Sequence, residues 1–136
     1  PGEINIIDSL ELLAIIRSND PHCLAGSRLH VSGELRDFKT LGDYSVPASE
    51  IEEAYWESLP GMQQHTYSYD QFQAFRPAKE IFNELKTVKD KGGNYLLAIG
   101  GPKGDGSIPE ANFRILREVK KLADEAGLKL GATTSD

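Results

Sequence analysis

Residues 92–106 read GGNYLLAIGGPKGDG, in which an apolar run lies between a glycine pair and a polar, glycine-rich turn. No other segment limits the possible folds as strongly. Leu96, Leu97, Ala98 and Ile99 are continuous where a half-exposed strand would alternate, so they predict a strand covered by helices on both sheet faces. Beyond it, Gly100, Gly101, Gly104 and Gly106 give the chain freedom and Pro102 limits it, with Lys103 and Asp105 as the charged side chains. A strand that ends in such a turn is suited to holding something at its carboxyl edge. The alternative is a plain connector to the next helix.

The rest of the chain supports an α/β reading. Asp8 and Glu11 have capping-box spacing and Ile7 with Leu12 fits a hydrophobic staple, which predicts a helix from about Ser9 to Arg17. Its apolar residues Leu10, Leu13, Ala14, Ile15 and Ile16 exceed a narrow stripe and imply deep packing. His22 to Ser27 reads as a short buried strand with Arg28 at its end, and His30 to Pro60 as a long loop with local turns. Tyr67 and Tyr69 lie in another short extended segment. Pro77 opens a helix with Ile81, Phe82, Leu85 and Val88 at core spacing, and Gly92 or Gly93 stops it. Pro109 opens another, with Ile115, Val119, Leu122 and Ala126 on one face and Gly127 as its stop. Leu128 to Leu130 could begin a further strand. This order favours helices layered on parallel strands.

Charge and composition exclude several partners. At 136 residues with 13 Gly and 7 Pro, the chain can hold one thin core. A formal net charge of -6 without a basic patch argues against nucleic acid or an anionic membrane surface. No apolar run approaches the roughly 20 residues of a membrane span, and the start PGEINIID lacks the pattern of a signal peptide. The first residue, Pro1, suggests a processed, trimmed or excised chain. Cys23 is alone, which excludes an internal disulfide, makes a buried thiol the expectation, and leaves the compartment open. His22, His30 and His65 lack metal-site spacing, GGPKGDG lacks the Ser or Thr of a phosphate loop, and neither Ser27 nor Cys23 sits in a nucleophile elbow. No metal or cofactor is expected.

Several segments, in order, resemble the family 29 alpha-L-fucosidases. GGNYLLAIGGPKGDGSIP is similar to the family's GGNLLLNIGP strand and turn, and GSRLH at Gly26 to His30 to its strand-end NSR. GDYSVPASEI at Gly42 to Ile51 resembles GDY-x-x-PEQEI, YWES at Tyr55 to Ser58 a WE element, and TYSYD at Thr66 to Asp70 the WGYN that follows. The resemblance spans roughly residues 10–131. It implies that the whole of 1–136 is a partial catalytic domain, the C-terminal part of a (β/α)8 TIM barrel with its earlier units missing. An open half barrel leaves two sheet edges unpaired, so a partner is implied: the remaining half of the barrel or a second copy.

The family's retaining hydrolysis of terminal fucose needs two carboxyl groups about 5 to 5.5 Å apart, one as nucleophile and one as acid/base. The resemblance assigns the nucleophile to a strand outside this chain. It assigns the acid/base to the loop at residues 43–50, where many members carry PE and this chain has Pro47 and Ala48. Asp43, Glu50 and Glu57 are the remaining candidates for proton transfer; in another register the family's glutamate falls on Asp43, one methylene shorter. Each could equally be a surface acid. Arg28 is a candidate sugar-binding fork, with a salt bridge to a loop acid as its alternative. Trp56 could wall the sugar or plug irregular chain onto the core. Tyr69 of TYSYD joins them as a substrate-binding candidate. A fucosylated saccharide is the implied ligand, and a non-catalytic carbohydrate-binding or structural half barrel is the alternative function.

Overall fold

The computed structural model describes residues 6–29 and 35–131, and side chains from Ser9 onward. Helix α1 spans Ile6–Asn19, a single 3-10 turn follows at Ser27–Leu29, and strands β1 (Lys39–Thr40) and β2 (Trp56–Ser58) come next. Helix α2 spans Ala78–Asp90, β3 Asn94–Tyr95 and α3 Glu110–Glu125. Pro77 and Pro109 stand at the N-caps of α2 and α3, where a missing N–H costs nothing. Gly92 (φ 77°) and Gly127 (φ 68°) follow those helices in the left-handed region that glycine tolerates.

The strands form one parallel sheet in the order β1-β2-β3. An isolated parallel bridge, Gly26 to Phe38, extends it beyond β1. Past β3 the ladder continues without a strand's full regularity: Leu96 N–H donates to Ser58 O, Ala98 N–H to Pro60 O, and Met62 N–H to Ala98 O. Register fixes two faces. Trp56, Ser58 and Tyr95 point toward the helices, while Thr40, Glu57 and Asn94 form a row across the other face.

Among the described residues, helices cover only one of these faces. Met62, Ala78, Ile81, Leu85, Ile115 and Val119 form the core between sheet, α2 and α3, with Tyr95, Leu97 and Leu128 against it. Leu41, Trp56 and Val88 form a second cluster. On the other face Leu96 is 52% exposed, which corrects the expectation of a strand buried on both sides. The apolar run is therefore continuous although one side of it is open in this chain.

Other expectations are also revised. His22 to Ser27 makes a single bridge, not a buried strand: Ala25 is buried but Leu24 is exposed. The 30–60 stretch, read as loop, contains β1 and β2, whose two and three paired residues are too few to show a period. Neither Tyr67 and Tyr69 nor Leu128 to Leu130 forms a strand; Leu128 packs on the core instead. Helix α1 already runs at Ile6, ahead of the proposed cap, and the side chains of Ile7 and Asp8 lie outside the described residues. Nor is it deeply packed. Leu13 meets Ala25 and Leu29, whereas Leu10, Leu12 and Ile15 are exposed, because apolar residues spread around a helix cannot all face one small surface. On α3 the buried positions are Asn112, Ile115, Val119 and Ala123, and Ala126 is exposed. Cys23 is exposed, contrary to expectation, since it lies in the turn after α1.

Candidate functional site

The carboxyl ends of the strands meet where the 3-10 turn, the segment after β1 and the loop before α2 converge. Arg28 projects from the turn, and its Nη2 donates to Leu41 O at 3.0 Å and to Asp43 Oδ1 at 2.5 Å. Both side chains remain more than half exposed, so the pair fixes a carboxylate at the rim without removing it from solvent. The salt-bridge reading of Arg28 thus describes its contact, and the rest of the guanidinium stays exposed.

Tyr44 and Tyr67 buttress this rim. Their rings stack at 4.9 Å between centroids. The Tyr44 hydroxyl donates to Thr66 O at 2.5 Å, with Gln63 O 2.9 Å away, while the Tyr67 hydroxyl donates to Leu59 O at 2.8 Å. Burial raises both phenol pKa values, which keeps them as donors. Tyr44 adopts φ 55° beside Asp43, a costly conformation for a bulky residue. Gly61 makes room for it: a Cβ there would fall 2.2 Å from the Tyr44 hydroxyl. Arg76 braces Gly61 from below by donating from Nη1 to its carbonyl at 3.0 Å. Its charge is itself held by Glu80 at 2.8 Å and by Glu84. Burial pulls the Arg76 pKa down, and these two carboxylates outweigh it and raise it. Burial, followed by the Glu84 charge, likewise raises Tyr95, whose hydroxyl donates to Glu84 at 2.9 Å. Asp43, Tyr44, Gln64, His65 and Arg76 line a groove of about 460 Å³ outside the rim.

The open face carries the other acid. Glu57 accepts from Thr40 Oγ1 at 2.7 Å and stands in register with Asn94. With Leu24, Asp37, Phe38, Tyr55 and Asn94 it lines a hollow of about 590 Å³. Asp37 accepts from Ala25 N–H at 2.6 Å and from Arg17, which together hold its pKa below the ordinary value.

The structure therefore gathers Arg28 and Asp43 and leaves the other candidates apart from that contact. Glu57 faces the open side of β2. Glu50 is exposed in the segment returning to β2; nearby, Ala48 O accepts from Lys91 at 3.1 Å, and Lys91 immediately follows α2, at the edge where β3 begins. Trp56 is 2% exposed and packed with Leu41 and Val88 over Gly93, so it anchors the core and offers a sugar no free face. Tyr69 is half buried, its backbone against Gly100 at the turn after β3. His30 lies outside the described residues, and among those described no His, Cys, Asp or Glu cluster is arranged to hold a metal ion. No helix among them is long and apolar enough to cross a membrane. Sequence reasoning did not single out Thr40 or Asn94; only strand register, invisible in so short a strand, aligns them with Glu57.

The fold is shared with known proteins. The chain superposes on an alpha-L-fucosidase from Lactobacillus casei, solved with alpha-L-fucose, with a TM-score of 0.80 at 24% identity, covering 93% of this chain and 38% of that one. For alpha-L-fucosidase isoenzyme 1 from Paenibacillus thiaminolyticus the TM-score is 0.75 at 25% identity, covering 88% and 31%. For the Thermotoga maritima alpha-fucosidase in complex with fucose it is 0.66 at 28% identity, covering 88% and 26%. The chain thus spans less than two-fifths of the length of these relatives. No curated protein matches it in sequence. Its open three-stranded parallel sheet and three helices are consistent with an incomplete (β/α)8 barrel. The model of the family described as Alpha-L-fucosidase matches residues 5–127, and the chain belongs to that family.

Proposed function

We propose that residues 1–136 form the C-terminal part of the catalytic barrel of a retaining alpha-L-fucosidase, which hydrolyses terminal alpha-L-fucose from glycans once other polypeptide closes the sheet. The observation that carries this reading is the Arg28–Asp43 contact, a carboxylate held by a guanidinium at the carboxyl rim of the strands in a chain of this family. Asp43 is the acid/base: it protonates the leaving oxygen, and its carboxylate then takes a proton from the water that releases fucose. The nucleophile comes from the polypeptide this chain lacks. Arg28 positions Asp43 and reaches a sugar hydroxyl, and Glu57, with Thr40, accepts from another hydroxyl on the open face. Tyr69 borders the sugar from the turn after β3. Ala48 carries no group that could transfer a proton, which leaves Asp43 as the acid of that loop in contact with Arg28.

The test is turnover of an aryl alpha-L-fucoside by the complete assembly, this chain with the polypeptide that closes its sheet. Asp43→Asn should lower kcat/KM by about 10²-fold or more, the usual contribution of a positioned acid/base. Unchanged turnover in that variant would remove Asp43 from the chemistry. Absence of turnover in the unaltered assembly, with fucose binding retained, would favour a carbohydrate-binding half barrel, for which the exposed, incompletely covered sheet face speaks.

A further inference from the structure

The groove outside the rim is lined by Asp43 itself. Its walls come from the segment after β1 (Asp43, Tyr44), the turn after β2 (Gln64, His65) and the first turns of α2 (Glu80, Glu84). Because β1 and β2 are neighbours within this chain, the groove lies on neither edge that other polypeptide must cover. His65 is held in it by the residue next to Asp43. Gln63 and Thr66 pair across a tight turn with Gln64 and His65 at its tip, and the Tyr44 hydroxyl lies 2.9 Å from Gln63 O and 2.5 Å from Thr66 O. The turn gives His65 a φ of 59° and leaves it exposed.

An acid/base reaches the oxygen that joins fucose to the next sugar, so that sugar begins where the acid stands. From Asp43 the groove offers it about 460 Å³. An imidazole ring can donate and accept, which suits a sugar hydroxyl or acetamido group, and the exposed Gln64 amide beside it can do the same. Charge narrows the choice of sugar. Arg76 is the one Lys or Arg in the lining, is 5% exposed, and has its charge held by Glu80 and Glu84. An acidic sugar would therefore find carboxylates there and no unspent cation. We propose that this groove receives a neutral sugar that bears the fucosyl group, with His65 as its hydrogen-bonding partner. This deepens the fucosidase reading and rests on it.

The experiment uses the complete assembly with alpha-L-fucosyl fluoride, whose leaving group has no ring, a neutral fucosylated disaccharide, and the same disaccharide sulfated on its leaving sugar. His65→Gly removes the imidazole and suits the positive φ, so the turn survives it. It should raise KM for the neutral disaccharide about three- to tenfold, the worth of one hydrogen bond, and leave fucosyl fluoride turnover unchanged. His65→Asn keeps a donor and an acceptor and tolerates the same φ, so it should avoid most of that loss. The sulfated disaccharide should be the poorer substrate, and Gln64→Lys, which puts a cation at the tip of the turn, should narrow the gap. An unchanged KM in His65→Gly, equal losses on disaccharide and fluoride, or a gap that is absent or that Gln64→Lys leaves as wide would overturn the proposal. If the unaltered assembly turned over none of these substrates, the fucosidase reading itself would fail and this proposal with it.

Discussion

At the scale of single residues, the rim is decided by close fits. Asp43 was among the acids expected from the sequence, yet nothing in GDY shows that the tyrosine after it takes φ 55° and leans on a glycine 17 positions later. Gly61→Ala should therefore cost about 1–3 kcal/mol and move Tyr44. Denaturant unfolding checks the stability, and tyrosine fluorescence the displacement. Arg28→Lys keeps the charge but loses the rigid planar group whose Nη2 donates to both Leu41 O and Asp43 and whose remaining N–H donors are available to a sugar. In the complete assembly it should lower kcat/KM by about ten- to a hundredfold, the worth of a charged hydrogen bond, and an unaltered value would make Arg28 purely structural. Trp56→Ala, by contrast, should lose about 3–5 kcal/mol of stability, because the indole is core.

Elements were legible where their signals are local. The proline starts and glycine stops of α2 and α3 could be read directly, since caps depend on neighbouring residues. Strands β1 and β2 could not: two or three paired residues carry no period, and their partners lie 17 and 37 positions away in sequence. Helix α1 was misjudged as deeply packed because composition cannot say which surface a helix meets. It is fastened instead through Arg17 and Asp37. The Asp37 carboxyl is held below its usual value of about 3.9, first by the Ala25 N–H and then by Arg17. A depressed folded-state pKa adds stability that is complete above the unfolded value and is lost as pH falls through the folded one. Thermal midpoints of the chain should accordingly drop as pH is lowered below about 4, and Asp37→Asn should flatten that fall. At the other edge, Leu96 donates to Ser58 of β2 and Ala98 to Pro60 just beyond it, while the Leu97 amide between them finds no partner among the described residues. Hydrogen exchange should find Leu97 fast in the chain alone and slow once the sheet is closed.

For the whole molecule, the claim is that this chain is one part of a barrel that other polypeptide completes. Leu24, Tyr55 and Leu96 are each more than half exposed, and the Glu57 hollow opens on the same uncovered face as the row of Thr40 and Asn94. An exposed apolar patch of this kind beside an unpaired edge is a surface for association. The fold's overall type was readable because ordered motifs carried it, whereas the contact that sets Asp43 apart from Glu50 and Glu57 joins residues 15 positions apart and leaves no local signal. The most direct measurement is hydrolysis of an aryl alpha-L-fucoside by this chain with and without the polypeptide that closes its sheet. The account predicts no turnover from the chain alone, turnover from the assembly, and its collapse on Asp43→Asn. Hydrolysis by the isolated chain, or none by a closed and folded assembly, would contradict it.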